Sequence, residues 1–228
     1  MRKFWMIRHG ETDWNTLYRR LQGHTDIPLN NNGIAQAQQL GSLLGHNAEQ
    51  VGLPLSPLHQ THLQFISSDL SRAYKTAQLI AENLISSTNI IDADILTDPN
   101  LREVNLGEAE GLTYEQVDAK WSAEFREHWG SNIEQYENLF YPGGESRKQV
   151  RERILSSLKK HLQEQDTQKN LIFVSHGFAI RSLVYHLSTS QIPFFVPNCA
   201  VVPFAQKANG EFIYLGPDTP EELLFPKN

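Results

Sequence analysis

Two short apolar runs, at residues 5–7 and 172–174, each lead within two residues to a histidine followed by a glycine. The histidines are His9 and His176. Runs of this length predict buried strands, and glycine permits the tight turn that follows each of them. In open α/β sheets, ligands bind at the carboxyl ends of the strands. The pattern therefore favours folds in which two strand ends, far apart in the sequence, bring both imidazoles together.

Strand and helix patterns alternate along the chain. Predicted strands cover residues 3–8, 63–67, 94–97 and 170–175, and predicted amphipathic helices cover 33–45, 71–84 and 145–162. Residues 199–205 and 211–215 are a predicted antiparallel pair joined by an Asn-Gly turn at 209–210. The middle of the chain is predicted to be irregular. This alternation favours an α/β fold, a three-layer α/β/α sandwich with a mostly parallel central sheet.

Two further segments carry residues suited to phosphate. Residues 65–77 read as an apolar strand, a start rich in serine and aspartate, and a helix with Arg72 in its first turn. The N-terminus of a helix offers free N–H groups and a positive dipole end, and a guanidinium matches phosphate oxygens. In the second segment, Glu103 lies among turn-forming residues. With Arg8 directly before His9, these features indicate phosphate chemistry with a histidine as the candidate nucleophile.

Together the segments resemble the histidine phosphatase superfamily, which has a phosphoglycerate mutase-like fold. The resemblance extends over nearly the whole chain and follows the order of the family's motifs. Its matching stretches are residues 8–15, 22–30, 33–37, 67–77, 101–111, 142–146 and 174–177. Each stretch alone is a weak signal, and the set in the right order is a strong one.

The resemblance implies roles for five residues. His9 would be the nucleophile that takes the phosphoryl group, and Glu103 the proton donor to the leaving alcohol. Arg8, Arg72 and a protonated His176 would surround the phosphate and clamp its oxygens without a metal ion. The two guanidinium groups disfavour a protonated His9, which keeps a lone pair available. Its other ring nitrogen is expected to bond a backbone carbonyl, that of Gly10 or of a neighbour.

Four more residues match family positions at the phosphate: Asn15, Gln22, Gly23 and Gly177. Asn15 fits a turn residue equally well, and Gly177 would let the backbone approach closely beside His176. The nine histidines include no metal-ligand spacing, and the single cysteine cannot build a thiolate zinc site. No metal and no cofactor is therefore expected.

The reaction type rests on segment 103–113 and on the run Pro-Gly-Gly-Glu-Ser at 142–146. Both look like the phosphatase branches of the family. The resemblance implies a phosphomonoester hydrolase that works through a phosphohistidine. Phosphoglycerate mutase-type transfer is the enzymatic alternative, and a non-catalytic protein that binds phosphorylated ligands is the other. The expected partner is a phosphorylated small molecule, with a phosphoprotein as a possibility and the natural substrate open.

A length of 228 residues suits a single domain, residues 1–228, with a cap-like insertion at about 105–145. The aromatic stretch 114–141 would be a substrate wall or simply pack the cap, and residues 47–62 are predicted to be a surface loop. The net charge of −6 argues against nucleic acid and anionic membrane as partners. With one cysteine, Cys199, and no signal or membrane-spanning stretch, a cytoplasmic protein is expected, either monomer or homodimer.

Overall fold

The computed structural model describes residues 1–16, 19–47, 63–87, 93–188, 195–217, 219 and 222–226. Within these residues the strands are β1 (Arg2–Arg8), β2 (Leu63–Ser67), β3 (Ala93–Thr97), β4 (Asn170–Ser175), β5 (Val201–Gln206) and β6 (Phe212–Tyr214). The helices are α1 (Asp13–Thr16), α2 (Asn31–Asn47), α3 (Ser71–Ser87), α4 (Tyr114–Trp121), α5 (Ala123–Gly130), α6 (Arg147–Glu164) and α7 (Gly177–Leu187). The predicted loop at 47–62 lies outside the described residues from 48 onward.

The strands form one mixed sheet of order β3-β2-β4-β1-β5-β6. The four strands from β3 to β1 are parallel, and β5 and β6 continue the sheet antiparallel. The register aligns Arg8 of β1 with Ser175 of β4, and Ser67 of β2 with Val174. The carboxyl ends of three parallel strands therefore meet at one edge, as the two His-Gly motifs predicted.

Helices cover both faces of the sheet because successive residues of its central strands point to opposite sides. Trp5 and Ile7 of β1 pack with α2 and α3 in one buried cluster. Phe4 and Met6 point the other way, into a larger cluster that includes α6 and α7. The predicted three-layer α/β/α sandwich is therefore confirmed.

The middle of the chain is more ordered than its sequence suggested. Thr113 and Gln116 form a capping box at the start of α4, and Ser122 caps α5 with a φ of 85°. These local hydrogen bonds satisfy the first N–H groups of two short helices, a signal that the prediction of an irregular middle missed. The start of α6 also differs, because Ser146 and Gln149 form its capping box and place Glu145 outside the helix.

The aromatic residues of this middle region mostly contact one another. Trp121, Phe125 and Trp129 surround the buried Tyr141, with ring centroids 5.1, 5.3 and 5.1 Å away respectively. Burial raises the pKa of Tyr141 to about 12. Trp129 also lines the cleft described below. Most of these rings therefore pack against one another inside the middle region, and a minority form part of the cleft wall.

Candidate active site

The carboxyl edge of the parallel strands borders a cleft of about 180 Å³. Backbone hydrogen bonds fix its floor, because His9 N donates to Ser175 O and Ser68 N donates to Val174 O, both at 2.9 Å. Eight of the nine predicted site residues line the cleft. They are Arg8, His9, Asn15, Gln22, Gly23, Arg72, Glu103 and Gly177. The ninth, His176, is fully buried, and its ring centroid is 5.0 Å from that of His9.

His9 is held in one ring orientation. Its Nδ1 lies 2.7 Å from Gly10 O, so this nitrogen carries the proton and donates it. Asn198 Nδ2 donates to the His9 carbonyl at 2.9 Å. Burial, and then the charges of Arg72 and Arg8, hold the pKa of His9 well below its usual value. The imidazole is therefore neutral near pH 7, and its Nε2 keeps a lone pair on the side of the cleft.

Arg72 is fixed by the loop after α1. Its guanidinium donates to Thr25 O at 2.9 Å and to Gly23 O at 2.8 Å. The side chain is fully buried, and its Nε has no hydrogen-bond partner among the described residues. Gly23 has a φ of 54°, and a Cβ there would lie 2.1 Å from a Glu110 carboxylate oxygen. The conformation and the lack of space both require glycine at this position.

Arg8 lies on the adjacent wall of the cleft. Its Nη1 donates to Val196 O at 2.6 Å, and its Nε has no partner within the described part of the chain. Burial lowers the pKa of Arg8 to about 10, against the raising effect of Glu103. The guanidinium is therefore still charged at neutral pH. A Cβ on Gly177 would lie 3.1 Å from the Arg8 Nε, so the glycine provides room for this side chain.

His176 behaves differently from the expectation drawn from the sequence. Its Nε2 lies 2.9 Å from Ser68 Oγ, and its buried Nδ1 has no partner in the described ranges. Burial, followed by the charge of Arg72, holds the pKa of His176 well below its usual value. The resemblance implies a protonated His176, whereas burial among arginines favours the neutral imidazole. Protonation of His176 beside a phosphate stays a prediction.

Glu103 is positioned by the N-terminus of α7. The backbone N–H groups of Phe178 and Ala179 donate to its carboxylate at 3.1 and 3.0 Å, and Val104 N donates at 3.0 Å. Its backbone carbonyl is held by His24 Nε2 at 2.8 Å and by Arg153 Nη2 at 2.7 Å. The first turn of α7 therefore holds the carboxylate of Glu103 at the cleft, which this residue lines.

Asn15 is both a turn residue and a residue of the cleft lining, the two roles that the sequence allowed. Its Oδ1 accepts from the N–H and the hydroxyl of Thr12, both at 3.1 Å, which is the turn interaction, and the residue also lines the cleft. Gln22 is buried beside it, with an Oε1 that has no partner among the described residues. Arg102 forms an ion pair with Asp69 and is absent from the cleft lining.

Glu110 connects the loop at 22–25 to the segment that carries Glu103. Its carboxylate accepts from His24 N at 2.7 Å and from Thr25 N at 2.9 Å. It also accepts from the Thr25 hydroxyl at 2.7 Å and from Leu106 N at 3.2 Å. Because the same loop provides the carbonyls that hold Arg72, Glu110 positions the arginine indirectly. Sequence reasoning missed this role, which depends on a contact across 85 residues.

Other cleft residues were also missed. Among them are Arg20, Phe178, Arg181 and Phe195, and outside the lining Ser68, which bonds His176, was missed as well. Arg181 lies four residues after Gly177, so its position in the first turns of α7 is the signal that would have found it. Among the described residues, no group of three or more His, Cys, Asp or Glu side chains is arranged to hold a metal ion. Across the same ranges, no helix is long and apolar enough to cross a membrane.

Comparison with known proteins defines the class. Residues 4–213 match the family model of the histidine phosphatase superfamily (branch 1). The chain belongs to this superfamily.

Two relatives similar in sequence bear phosphoglycerate mutase names. The probable phosphoglycerate mutase GpmB of Escherichia fergusonii is 35% identical over 185 residues, which are 81% of this chain and 74% of that protein. Phosphoglycerate mutase-like protein 4 of Arabidopsis thaliana is 33% identical, over 78% of this chain and 67% of that protein. These relationships support an enzyme of the superfamily and leave open whether it is a mutase or a phosphatase.

Solved structures show the same fold. One described as mycobacterial hydrolase 1 has a TM-score of 0.72 and 25% identity, covering 94% of this chain and 97% of that one. A mycobacterial glucosyl-3-phosphoglycerate phosphatase in complex with VO3 has a TM-score of 0.71 and 24% identity over the same shares. The latter likeness is one of fold.

Proposed function

We propose that this enzyme is a metal-independent phosphomonoester hydrolase that works through a phosphohistidine on His9. The observation that carries the proposal is the 2.7 Å hydrogen bond from His9 Nδ1 to Gly10 O. It leaves Nε2 as the nucleophilic nitrogen in a cleft that Arg8 and Arg72 also line. Two buried guanidinium groups with free Nε–H donors suit the peripheral oxygens of a phosphate dianion.

In the first step, the lone pair of His9 Nε2 forms a bond to phosphorus as the bond from phosphorus to the ester oxygen breaks. The leaving oxygen takes a proton from Glu103, so an alcohol departs. Arg8 and Arg72 hold the three peripheral oxygens during the transfer. The His176 Nδ1, buried and unpartnered among the described residues, is a further donor if its tautomer places the proton there.

In the second step, a water molecule attacks the phosphorus of the phosphohistidine. The Glu103 carboxylate takes a proton from this water, an oxygen–phosphorus bond forms, and the bond to His9 Nε2 breaks. Inorganic phosphate leaves, and His9 and protonated Glu103 are regenerated. One carboxyl group therefore serves as acid and then as base.

Phosphoglycerate mutase activity is the second candidate, because both relatives described above bear mutase names. In that reaction the phosphoryl group of His9 returns to a second hydroxyl of the substrate instead of passing to water. Hydrolysis is favoured by segment 103–113 and by residues 142–146, which resemble phosphatase branches. We infer a phosphorylated small molecule as the substrate and a cytoplasmic protein of one domain, in which residues 105–145 act as a cap.

The test is hydrolysis of 4-nitrophenyl phosphate in the presence of EDTA, by the wild type, by His9→Ala and by His128→Ala as a matched control. His128 stacks on Tyr136 and does not line the cleft. Loss of the nucleophile is expected to lower the rate on the order of 1000-fold, with the control unchanged. Conversion of 3-phosphoglycerate to 2-phosphoglycerate, faster than either is hydrolysed, would instead establish the mutase.

A second measurement tests Glu103. Nitrophenolate is a good leaving group that needs no proton, whereas attack by water needs a base. Glu103→Gln is therefore expected to release about one equivalent of nitrophenolate per active site in a burst and then turn over slowly. Slow release from the first turnover onward would contradict the assigned role.

A further inference from the structure

The cleft carries more positive charge than one phosphate requires. Arg20 and Arg181 line it in addition to Arg8 and Arg72, and Glu103 is the only carboxylate in its described lining. A phosphomonoester brings at most two negative charges, and Arg8 and Arg72 already match these. Arg20 and Arg181 therefore lack a counter-charge from the phosphate alone.

Arg181 stands out because its guanidinium has no acidic partner. None of the ion pairs found among the described residues includes it. Its contacts are with aromatic rings instead, since its Cζ lies 4.9 Å from the centroid of Phe178 and 5.8 Å from that of Tyr185. A guanidinium held against ring faces keeps the N–H groups at its edge available for a bidentate acceptor.

The Phe178 ring, which Arg181 contacts, belongs to a group of aromatic side chains in the cleft wall. Trp129 stacks on Phe178 with centroids 4.6 Å apart and an interplanar angle of 14°. Trp129 and Phe178 both line the cleft, as do the half-exposed Tyr114 and the more exposed Phe195. Apolar walls with a few placed polar groups are typical of small-molecule sites. The organic part of a substrate that binds its phosphate at Arg8 and Arg72 would thus have both these rings and Arg181 in the same cleft.

Arg181 is also near the phosphate clamp. Burial is the main cause that lowers the pKa of Arg8, and the charge of Arg181 lowers it further. The charge of Glu103 acts in the opposite direction. Arg181 begins the second turn of α7, whose first turn holds Glu103, so one rigid helix carries this arginine and orients the acid. The position of Arg181 relative to the acid Glu103 is therefore fixed by α7.

We propose that Arg181 is a specificity-determining residue that binds a second anionic group on the organic part of the substrate, either a carboxylate or a second phosphate. Arg20 also lines the cleft, and its Nη1 donates to Gly111 O at 2.6 Å. The enzyme thus prefers phosphomonoesters whose apolar body ends in an anion. This inference rests on the proposed function only for the location of the phosphate, because binding can be measured without turnover.

The test is calorimetric binding of phosphonates, which are not hydrolysed. The panel compares benzylphosphonate substituted at the meta or para position with a carboxamide, a carboxylate or a second phosphonomethyl group. We expect the wild type to bind at least one anionic member about 10-fold more tightly than the matched carboxamide, the size of one charge-assisted hydrogen bond. A preference for the carboxylate or for the second phosphonate identifies which anion the subsite accepts.

Variants assign the preference to Arg181. Arg181→Met is expected to abolish the anion preference and Arg181→Lys to retain part of it, because lysine keeps the charge and loses the fork. Lys120→Met is the control: Lys120 also lies over an aromatic ring, that of Trp121 at 4.4 Å, yet is not part of the cleft lining. It should keep the full preference.

Equal affinities across the panel for the wild type, or a preference unchanged in Arg181→Met, would overturn the inference. These outcomes are separate from failure of the proposed function. Hydrolysis of 4-nitrophenyl phosphate that depends on His9, together with equal binding of the panel, would leave the phosphatase standing and remove the second subsite. Anion-selective binding without turnover would leave the second subsite standing and remove the phosphatase.

Discussion

Two buried imidazoles, those of His9 and His176, face each other at the end of the parallel strands and remain neutral for the same reason. Both are almost fully enclosed, and the arginines around them disfavour a further positive charge. For His9 this preserves the lone pair that a nucleophile needs. For His176 it favours the neutral ring, so the positive charges of the described cleft lining are those of its arginines.

This burial makes stability depend on pH. Each histidine has a pKa near 6.5 in the unfolded chain and well below it in the folded protein. Between about pH 6.5 and pH 5 the unfolded state therefore binds more protons, and the free energy of unfolding falls as the pH falls. Each imidazole contributes on the order of 1 kcal/mol per pH unit once the pH lies below its value in the unfolded chain. His186, whose pKa burial also lowers, acts in the same direction.

Urea unfolding at intervals from pH 7.5 to pH 5 measures this slope. The window lies above the range in which carboxylates titrate, so the histidines dominate it. His9→Asn is the comparison, because it removes one titrating group and should flatten the slope by on the order of 1 kcal/mol per pH unit. A stability that is the same at pH 5 and pH 7.5 would show that these imidazoles are not buried as neutral groups.

At the scale of elements, the loop at 22–25 joins the arginine clamp to the segment of the acid. The carbonyls of Thr25 and Gly23 accept hydrogen bonds from Arg72. The N–H groups of the same loop, at residues 24 and 25, donate to Glu110. Two parts of the chain that line the same cleft are thereby fixed to each other. Their relative position determines whether in-line transfer is possible.

Glu110→Gln tests this linkage. An amide has one acceptor oxygen where the carboxylate has two, so its NH₂ group would face a backbone N–H. We expect the free energy of unfolding to fall by about 1–3 kcal/mol, as when a buried hydrogen bond is lost. We also expect weaker binding of inorganic phosphate at a temperature where the variant is fully folded, since Arg72 loses its support.

Glu108→Gln is the matched control on the same turn. Its carboxylate pairs with the exposed Lys120 at 2.7 Å, and an exposed ion pair of this kind contributes little. Calorimetry of phosphate binding by both variants gives the answer. If Glu110→Gln lowers stability and leaves the phosphate affinity unchanged, Glu110 is a structural residue and does not position Arg72.

At the scale of the whole molecule, a positive site exists within a chain of net charge −6. The charges that form it come from β1, the first turn of α3 and the first half of α7, which only the folded sheet assembles. A ligand that needs all of them has no site on the unfolded chain. Phosphate binding is therefore expected to stabilise the entire fold.

Thermal unfolding with increasing inorganic phosphate tests this expectation. At a concentration 100 times its Kd, phosphate should raise the free energy of unfolding by about 2.7 kcal/mol. Arg72→Met should lose most of this effect, and sodium chloride at equal ionic strength separates specific binding from a general salt effect. An unchanged melting temperature in the wild type at saturating phosphate would mean that the cleft does not bind the anion.

Local sequence patterns determined much of this protein. Apolar runs gave the strands around both His-Gly motifs, and helical spacing gave α2, α3 and α6 to within a few residues. The family's motifs identified nine residues that the structure brings to one site, although their catalytic roles stay predictions. Such features are readable because they depend on periodicity, on glycine conformation and on residue type, all of which act over short distances.

Only the tertiary structure decided the remaining features. The neutral state of His176 depends on burial beneath residues from three other segments. The role of Glu110 depends on hydrogen bonds to a loop 85 residues away, and the isolation of Arg181 depends on which acids did not come near it. These three features depend on distances between side chains and on the local dielectric environment, both of which exist only after folding. No local pattern in the chain therefore predicts them.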